Sequence, residues 1–237
     1  MPMTIESTQG ARSVLDSFKN HEAIAGYADG PPRFVPGFDA LHRMTAILLA
    51  ENAPAAARVL VLGAGGGLEL NALALAHPGW SFVGVDPAEP MLDMARRTLG
   101  PLMERVELVH GYIDDAPPGP FDAATCLLTL HFLDAPERLR TAQAIRARMK
   151  PGAPFVAAHS SFPQDPSSRT DWLARYAAYA VASGADPQQA ARGRDAVDAH
   201  LNLLDPHEDE RILRDAGFSD IAMFYAAFTW RGWIARA

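Results

Sequence analysis

The sequence predicts an α/β protein, with a mostly parallel seven-stranded sheet that has helices on both faces and ends in an antiparallel hairpin. Three observations predict it. From residue 58 onward, short apolar runs alternate with stretches of helical period, the pattern of strands buried on both faces. A glycine cluster, Gly63-Ala64-Gly65-Gly66-Gly67, follows the first of these runs directly. Two strand-like runs then close the chain with no room for a helix between them.

The elements follow in order. A polar arm punctuated by Pro and Gly runs into Val35-Pro36-Gly37-Phe38, and residues 39–51 then form a helix with Asp39 as N-cap and Leu41, Thr45, Leu48 and Leu49 on one face. Residues 58–62 form the first strand and 68–77 a helix closed by Pro78-Gly79. The second strand is 81–85, followed by Pro87 and a helix through Leu92, Ala95 and Leu99. Strands at 106–110, 121–128 and 155–158 come next, with a helix at 136–149 before the last of them. The roughly sixty residues before the hairpin are too many for a structureless loop. Residues 171–183 and 187–204 read as an inserted helical lid and 206–216 as the last regular helix, with hairpin strands at 218–225 and 227–235. The expected organisation is one domain over 1–237, with an N-terminal helical arm (1–55), a cofactor-binding core (56–160), an inserted lid (161–205), and a last helix with hairpin (206–237).

Composition narrows the function. With 237 residues, 49% of them hydrophobic, the chain suffices for one sizeable core. Its net charge of −7 and lack of a basic run disfavour nucleic acid and anionic lipid as partners. The lone Cys126 lies in an apolar run, which points to packing and a reducing compartment. The first residues lack the basic and apolar regions of a secretory signal, and no apolar run approaches the ~18 residues of a membrane span. A cytoplasmic location is therefore expected. Apolar lid helices make a homodimer a further expectation.

A strand, a glycine turn and a helix together bring backbone close to a ligand and aim a helix N-terminus at it. The spacing is Gly63-x-Gly65-x-Gly67, with Leu68 where a dinucleotide fold requires a small residue. It resembles instead the methyltransferase loop, in which the glycines leave room for the ribose and methionine portions of S-adenosylmethionine (SAM). Asp86, at the tip of the second strand, stands at the distance where a carboxylate accepts from both ribose hydroxyls. Met91, one turn into the next helix, is placed to pack on adenine. In the fold class that this loop resembles, the segment beyond the third strand, here Tyr112 and Ile113, meets adenine, and an Asp is usual at the place of Tyr112. Either Asp114 replaces that carboxylate or Tyr112 stacks on the ring.

The chain resembles class I SAM methyltransferases in Val35-Pro36-Gly37-Phe38, the Gly63 loop, Val85-Asp86-Pro87-Ala88-Glu89-Pro90-Met91-Leu92, Leu128-Thr129-Leu130-His131-Phe132-Leu133 and Lys150-Pro151-Gly152. In order and spacing it is most similar to the carboxy-SAM synthase branch, from about residue 30 to the C-terminus. The resemblance implies a Rossmann-like fold and SAM as cofactor, held by Phe38, Gly63, Ala64, Gly65, Asp86, Pro87, Met91, Tyr112, Ile113 and Leu127. In the carboxy-SAM synthase pattern an aromatic falls on Phe38, an Asn on Leu127, and a carboxylate-clamping Arg on Arg194. Leu127 cannot hydrogen-bond, which favours ordinary methyl transfer to a small molecule, with S-adenosylhomocysteine (SAH) as product.

A SAM methyl is already activated, so the protein supplies proximity and a dry pocket, together with a base where the acceptor must lose a proton. His131, at the C-terminal end of the fourth strand, is the candidate base, and His159 and Ser160 share its rim. A histidine packed beside Phe132 and bonded to backbone is the competing reading. Arg33, Phe34 and Phe38, with Trp172, Tyr176 and Tyr179 from the lid, are candidates to wall the acceptor pocket. His200, His207, Glu208 and Asp209 have no spacing that compels a metal, so none is expected. Two other readings stand beside methyl transfer, namely a carboxy-SAM synthase-like enzyme using Arg194 and a non-catalytic SAM-binding module.

Overall fold

The computed structural model describes residues 30–237; residues 1–29 of the expected arm lie outside the described residues. Helix α1 (Gly30–Phe34) and α2 (Phe38–Ala50) precede the sheet. Strands β1 (Arg58–Leu62), β2 (Ser81–Asp86), β3 (Val106–His110), β4 (Ala123–Leu127) and β5 (Pro154–Ser160) then alternate with α3 (Leu68–Ala76), α4 (Glu89–Leu99) and α5 (Ala135–Ala147). The lid is α6 (Pro166–Ala182) and α7 (Pro187–His200); α8 (Pro206–Asp215), β6 (Ser219–Ala227) and β7 (Trp230–Arg236) complete the chain.

The sheet has seven strands in the order β3-β2-β1-β4-β5-β7-β6. All pairings among β1 to β5 are parallel, and β7 pairs antiparallel with both β5 and β6. This is the Rossmann-like architecture with a terminal hairpin that the pattern predicts.

Strand alternation divides the interior into two cores. Val59 and Val61 face one side with Phe82, Ala123, Leu127 and Val156, where they meet Leu41 and Leu49 of α2, Leu70 and Leu73 of α3, and Leu92 of α4. Leu60 and Leu62 face the other side with Val83, Val85, Cys126 and Phe155, against Ile145 of α5 and Leu213 of α8. Both faces are covered, which is why these strands read as continuous apolar runs.

Asp134, Asp165, Asp186 and Asp205 each cap the helix that follows by accepting a backbone N–H, and each of those helices carries Pro in its first turn. Two expectations are corrected. The N-cap of α2 is Gly37 in the left-handed region (φ 68°), which moves Asp39 into the first turn. The first lid helix begins at Pro166 and not near 171, because Asp165 caps it through the Ser168 N–H.

Candidate cofactor and active site

The glycine loop lies between β1 and α3 at the C-terminal edge of the sheet, the edge that carries ligand sites in open α/β folds. Gly67 has φ 81°, and a Cβ on it would lie 2.9 Å from the Ala95 Cα, so the close approach of α3 to α4 requires glycine. Gly63, also at φ 81°, leaves its space to the Thr129 side chain. The loop is thereby locked against the segment that follows β4.

Asp86 ends β2. Its Oδ2 accepts from the Gly65 N–H at 2.8 Å and its Oδ1 from the Ala88 N–H at 2.9 Å. Each oxygen keeps a further lone pair. Burial raises the Asp86 carboxyl above its ordinary range, against the pull of these two amides and of His110. The same side chain therefore braces the glycine loop and turns the chain into α4, while retaining acceptor capacity for a diol.

Ala88 and Met91 form a small apolar cluster with Met94, separate from both main cores. Beyond β3, Ile113 is buried, whereas Tyr112 is 57% exposed and its N–H is held by Asp115 Oδ2 at 2.8 Å. Asp114 is engaged 3.0 Å from Arg140. Of the two alternatives for the adenine edge, Asp114 is paired with Arg140 and the Tyr112 ring is exposed. The Pro87 carbonyl faces His110 Nε2 at 3.1 Å. A diol acceptor at Asp86, an apolar patch at Met91 and an exposed aromatic at Tyr112 together fit SAM.

The rim beyond β4 is strained. Leu128 has φ 54°, unusual for a side chain of this size, and its N–H donates to the Ala158 carbonyl at 2.6 Å. His131 follows in a short 3-10 turn and is buried. Its Nδ1 accepts from the Ser160 N–H at 3.3 Å, so Nε2 carries the hydrogen. Burial first, then His159 and Arg138, hold this imidazole well below the ordinary histidine range. It packs on Phe132 at 4.4 Å and edge-on to Trp230 at 5.7 Å. The expected base is thus a neutral imidazole whose basic nitrogen is already occupied, the arrangement of the competing reading.

The aromatic groups expected around an acceptor come together only in part. Phe34 stacks on Tyr176 at 5.3 Å, its carbonyl accepts from Trp230 Nε1 at 2.9 Å, and Gly193 of α7 leaves room for its ring. Tyr179 meets Phe228 at 6.0 Å. Trp172 lies at the lid base, under Arg175 and Arg231. Phe38 is buried edge-on to His42, Leu127 is buried in the core, and Arg33 is exposed. Arg194 is partly exposed and donates twice to its neighbour Asp195, at 2.9 and 2.7 Å.

One cluster was missed by sequence reasoning. Arg138 of α5, Asp209 of α8 and His159 of β5 meet in the interior, the first two 1% exposed. A signal existed, since Arg138 shares a helix face with Ala142 and Ile145, and Asp209 shares one with Ile212 and Leu213. A charge on an apolar stripe requires a buried partner. Asp209 is thereby accounted for, and among the described residues no group of three or more His, Cys, Asp or Glu side chains is placed to hold a metal ion. No described helix is long and apolar enough to cross a membrane.

Residues 59–152 match the family model described as a methyltransferase domain. A carboxy-SAM synthase of Campylobacter curvus is 24% identical over 207 residues, covering 87% of each chain. Among solved structures, an O-methyltransferase family protein of Burkholderia thailandensis superposes with a TM-score of 0.66 at 19% identity, over 93% of this chain and 61% of its own. This chain thus spans about three-fifths of that neighbour's length. The magnesium protoporphyrin IX methyltransferase of Synechocystis, with bound SAM, superposes with a TM-score of 0.65 at 14% identity, over 100% of this chain and 99% of its own. The matched domain contains the glycine loop, Asp86 and the β4 rim, and the chain shares its architecture with these methyltransferase structures.

Proposed function

We propose that this protein transfers the methyl group of SAM to a small-molecule acceptor. The observation that carries the reading is Asp86, pinned by the Gly65 and Ala88 amides with lone pairs remaining for the ribose diol. When bound, SAM supplies a methyl group already activated by its sulfonium. The chain's own residues then bind and orient. Asp86 would hold the ribose, Met91, Ala88 and Tyr112 would pack against the adenine, and Gly63, Ala64 and Gly65 would let the backbone come close to the cofactor. The rim from Leu128 to Phe132, with Trp230 and the lid, excludes water from the C-terminal edge. His131 contributes shape and a hydrogen-bond donor there, not basicity.

A net charge of −7 without a basic run supports a small molecule over a nucleic acid as acceptor. Carboxy-SAM synthesis is the second reading, favoured by the curated relatives. Against it, Leu127 is apolar and Arg194 is committed to Asp195.

Calorimetry with SAM, SAH and carboxy-SAM, joined to mass spectrometry of the ligand that co-purifies, tests the proposal. Saturable SAM and SAH binding, followed by transfer of a labelled methyl group across an acceptor panel, is the expected result. Preferential retention of carboxy-SAM would transfer the case to the second reading, and binding of none of the three would end both.

A further inference from the structure

We propose that Arg138 is a positioning residue, whose guanidinium registers the lid's return segment, through Asn202, against the β4 rim at His131 and Phe132. The lid leaves the sheet after β5 and returns beside its own starting point. Ser161 bridges to Leu204, the Phe162 N–H donates to the Leu204 carbonyl at 3.2 Å, and the Ser161 hydroxyl donates to the same oxygen at 3.3 Å. Asn202 lies in this stem. Its backbone N–H donates to the His131 carbonyl at 2.9 Å and its side-chain amide to the Phe132 carbonyl at 3.1 Å.

Arg138 joins the stem to the rim. Nη2 donates to the Asn202 carbonyl at 2.7 Å and to the Leu133 carbonyl at 3.2 Å, while Nη1 is paired with Asp209. Asp209 Oδ1 also lies 3.1 Å from His159 Nε2 on β5. One planar cation thus spans α5, the rim, the lid stem and α8, a reach for which a guanidinium is suited and an ammonium is not. A buried ion pair adds little stability over well-packed apolar side chains, and its best-attested use is to specify position. The distal lid is held differently, by apolar contacts such as Phe34 on Tyr176. The polar fixation is at the stem, beside the reaction rim.

The four tryptophans give a direct test on the full chain labelled with 5-fluorotryptophan. Trp172 reports the lid base, Trp230 the rim through His131, Trp233 the ion cluster through His159, and Trp80, packed on His77 and Phe82 near the start of β2, serves as control. In the double variant Arg138→Met, Asp209→Leu, the Trp172 and Trp230 fluorine resonances are expected to shift and broaden while Trp80 is unchanged. Lid amides between 187 and 204 should exchange at least about tenfold faster, with SAH affinity retained. Unshifted, sharp Trp172 and Trp230 signals would overturn the proposal and reduce the cluster to core filling.

If the double variant does not fold, Arg138→Lys decides by the same criteria, because it keeps a cation for Asp209 without the planar two-armed reach. The inference rests on reading the C-terminal edge as the reaction site. Failure of that reading would appear separately, as an unmodified chain that does not bind SAH.

Discussion

Replacing Glu69 by Gln should make the protein more resistant to alkaline unfolding, by an amount that grows with pH. Glu69 lies in the first turn of α3, two residues past the glycine loop, and is only 7% exposed, with no hydrogen-bond partner for its Oε1. Burial raises its carboxyl from 4.5 to about 7, outweighing the opposing contact with Thr125. In the unfolded chain the group ionises at its ordinary value. The folded state therefore binds the proton more tightly, and its stability is fully present below 4.5 and falls as pH rises towards 7. A displacement from 4.5 to about 7, at about 1.4 kcal/mol per unit, amounts to about 3 kcal/mol of lost stability above neutrality. For a chain of this size that is on the order of 6–12 °C in melting temperature. The buried Gln amide brings its own desolvation penalty, but one independent of pH. Urea titrations of both proteins between pH 5 and 8 isolate the titrating part. The unmodified protein should lose about 2–3 kcal/mol across this range relative to Glu69→Gln. Parallel stability curves would refute the reasoning, since they would mean that Glu69 reaches water or an unseen partner in the native state.

Four further outcomes are expected. Asp86→Asn replaces an anionic acceptor with an amide and should weaken SAH binding by roughly 10- to 100-fold in calorimetry, the worth of one or two charged hydrogen bonds. Asp209 is raised by burial but drawn down to about 2 by His159 and Arg138. Its contribution is present above its ordinary 3.8 and lost as pH falls through about 2, so acid unfolding should be steeper in the unmodified protein than in Arg138→Met, Asp209→Leu. Burial pushes the Cys126 thiol far up; a thiol reagent should find no reactive group natively and one equivalent after denaturation, and rapid native labelling would contradict the buried strand position. Arg194→Ala should leave SAH and carboxy-SAM affinities alike, and selective loss of carboxy-SAM would revive the synthase reading.

What the sequence carried on its own was every feature with a local cause. The inner strands β1, β2, β4 and β5 were legible because burial on both faces makes them largely apolar. The glycine loop and Asp86 were legible because close backbone approach and a carboxylate at a strand tip leave fixed spacings. Asp165-Pro166 would have dated the start of the lid correctly, since capping is also local. Tertiary structure decided what depends on partners remote in the chain. The strand order, with β7 between β5 and β6, follows from which edges remain open. The tautomer of His131 is set by an amide on β5, 29 residues away. Arg138 and Asp209 are 71 residues apart, and only the packing of α5 against α8 makes one the counter-charge of the other. Spacing reports where the backbone goes, whereas the charge and proton state of a side chain belong to whatever the fold packs against it.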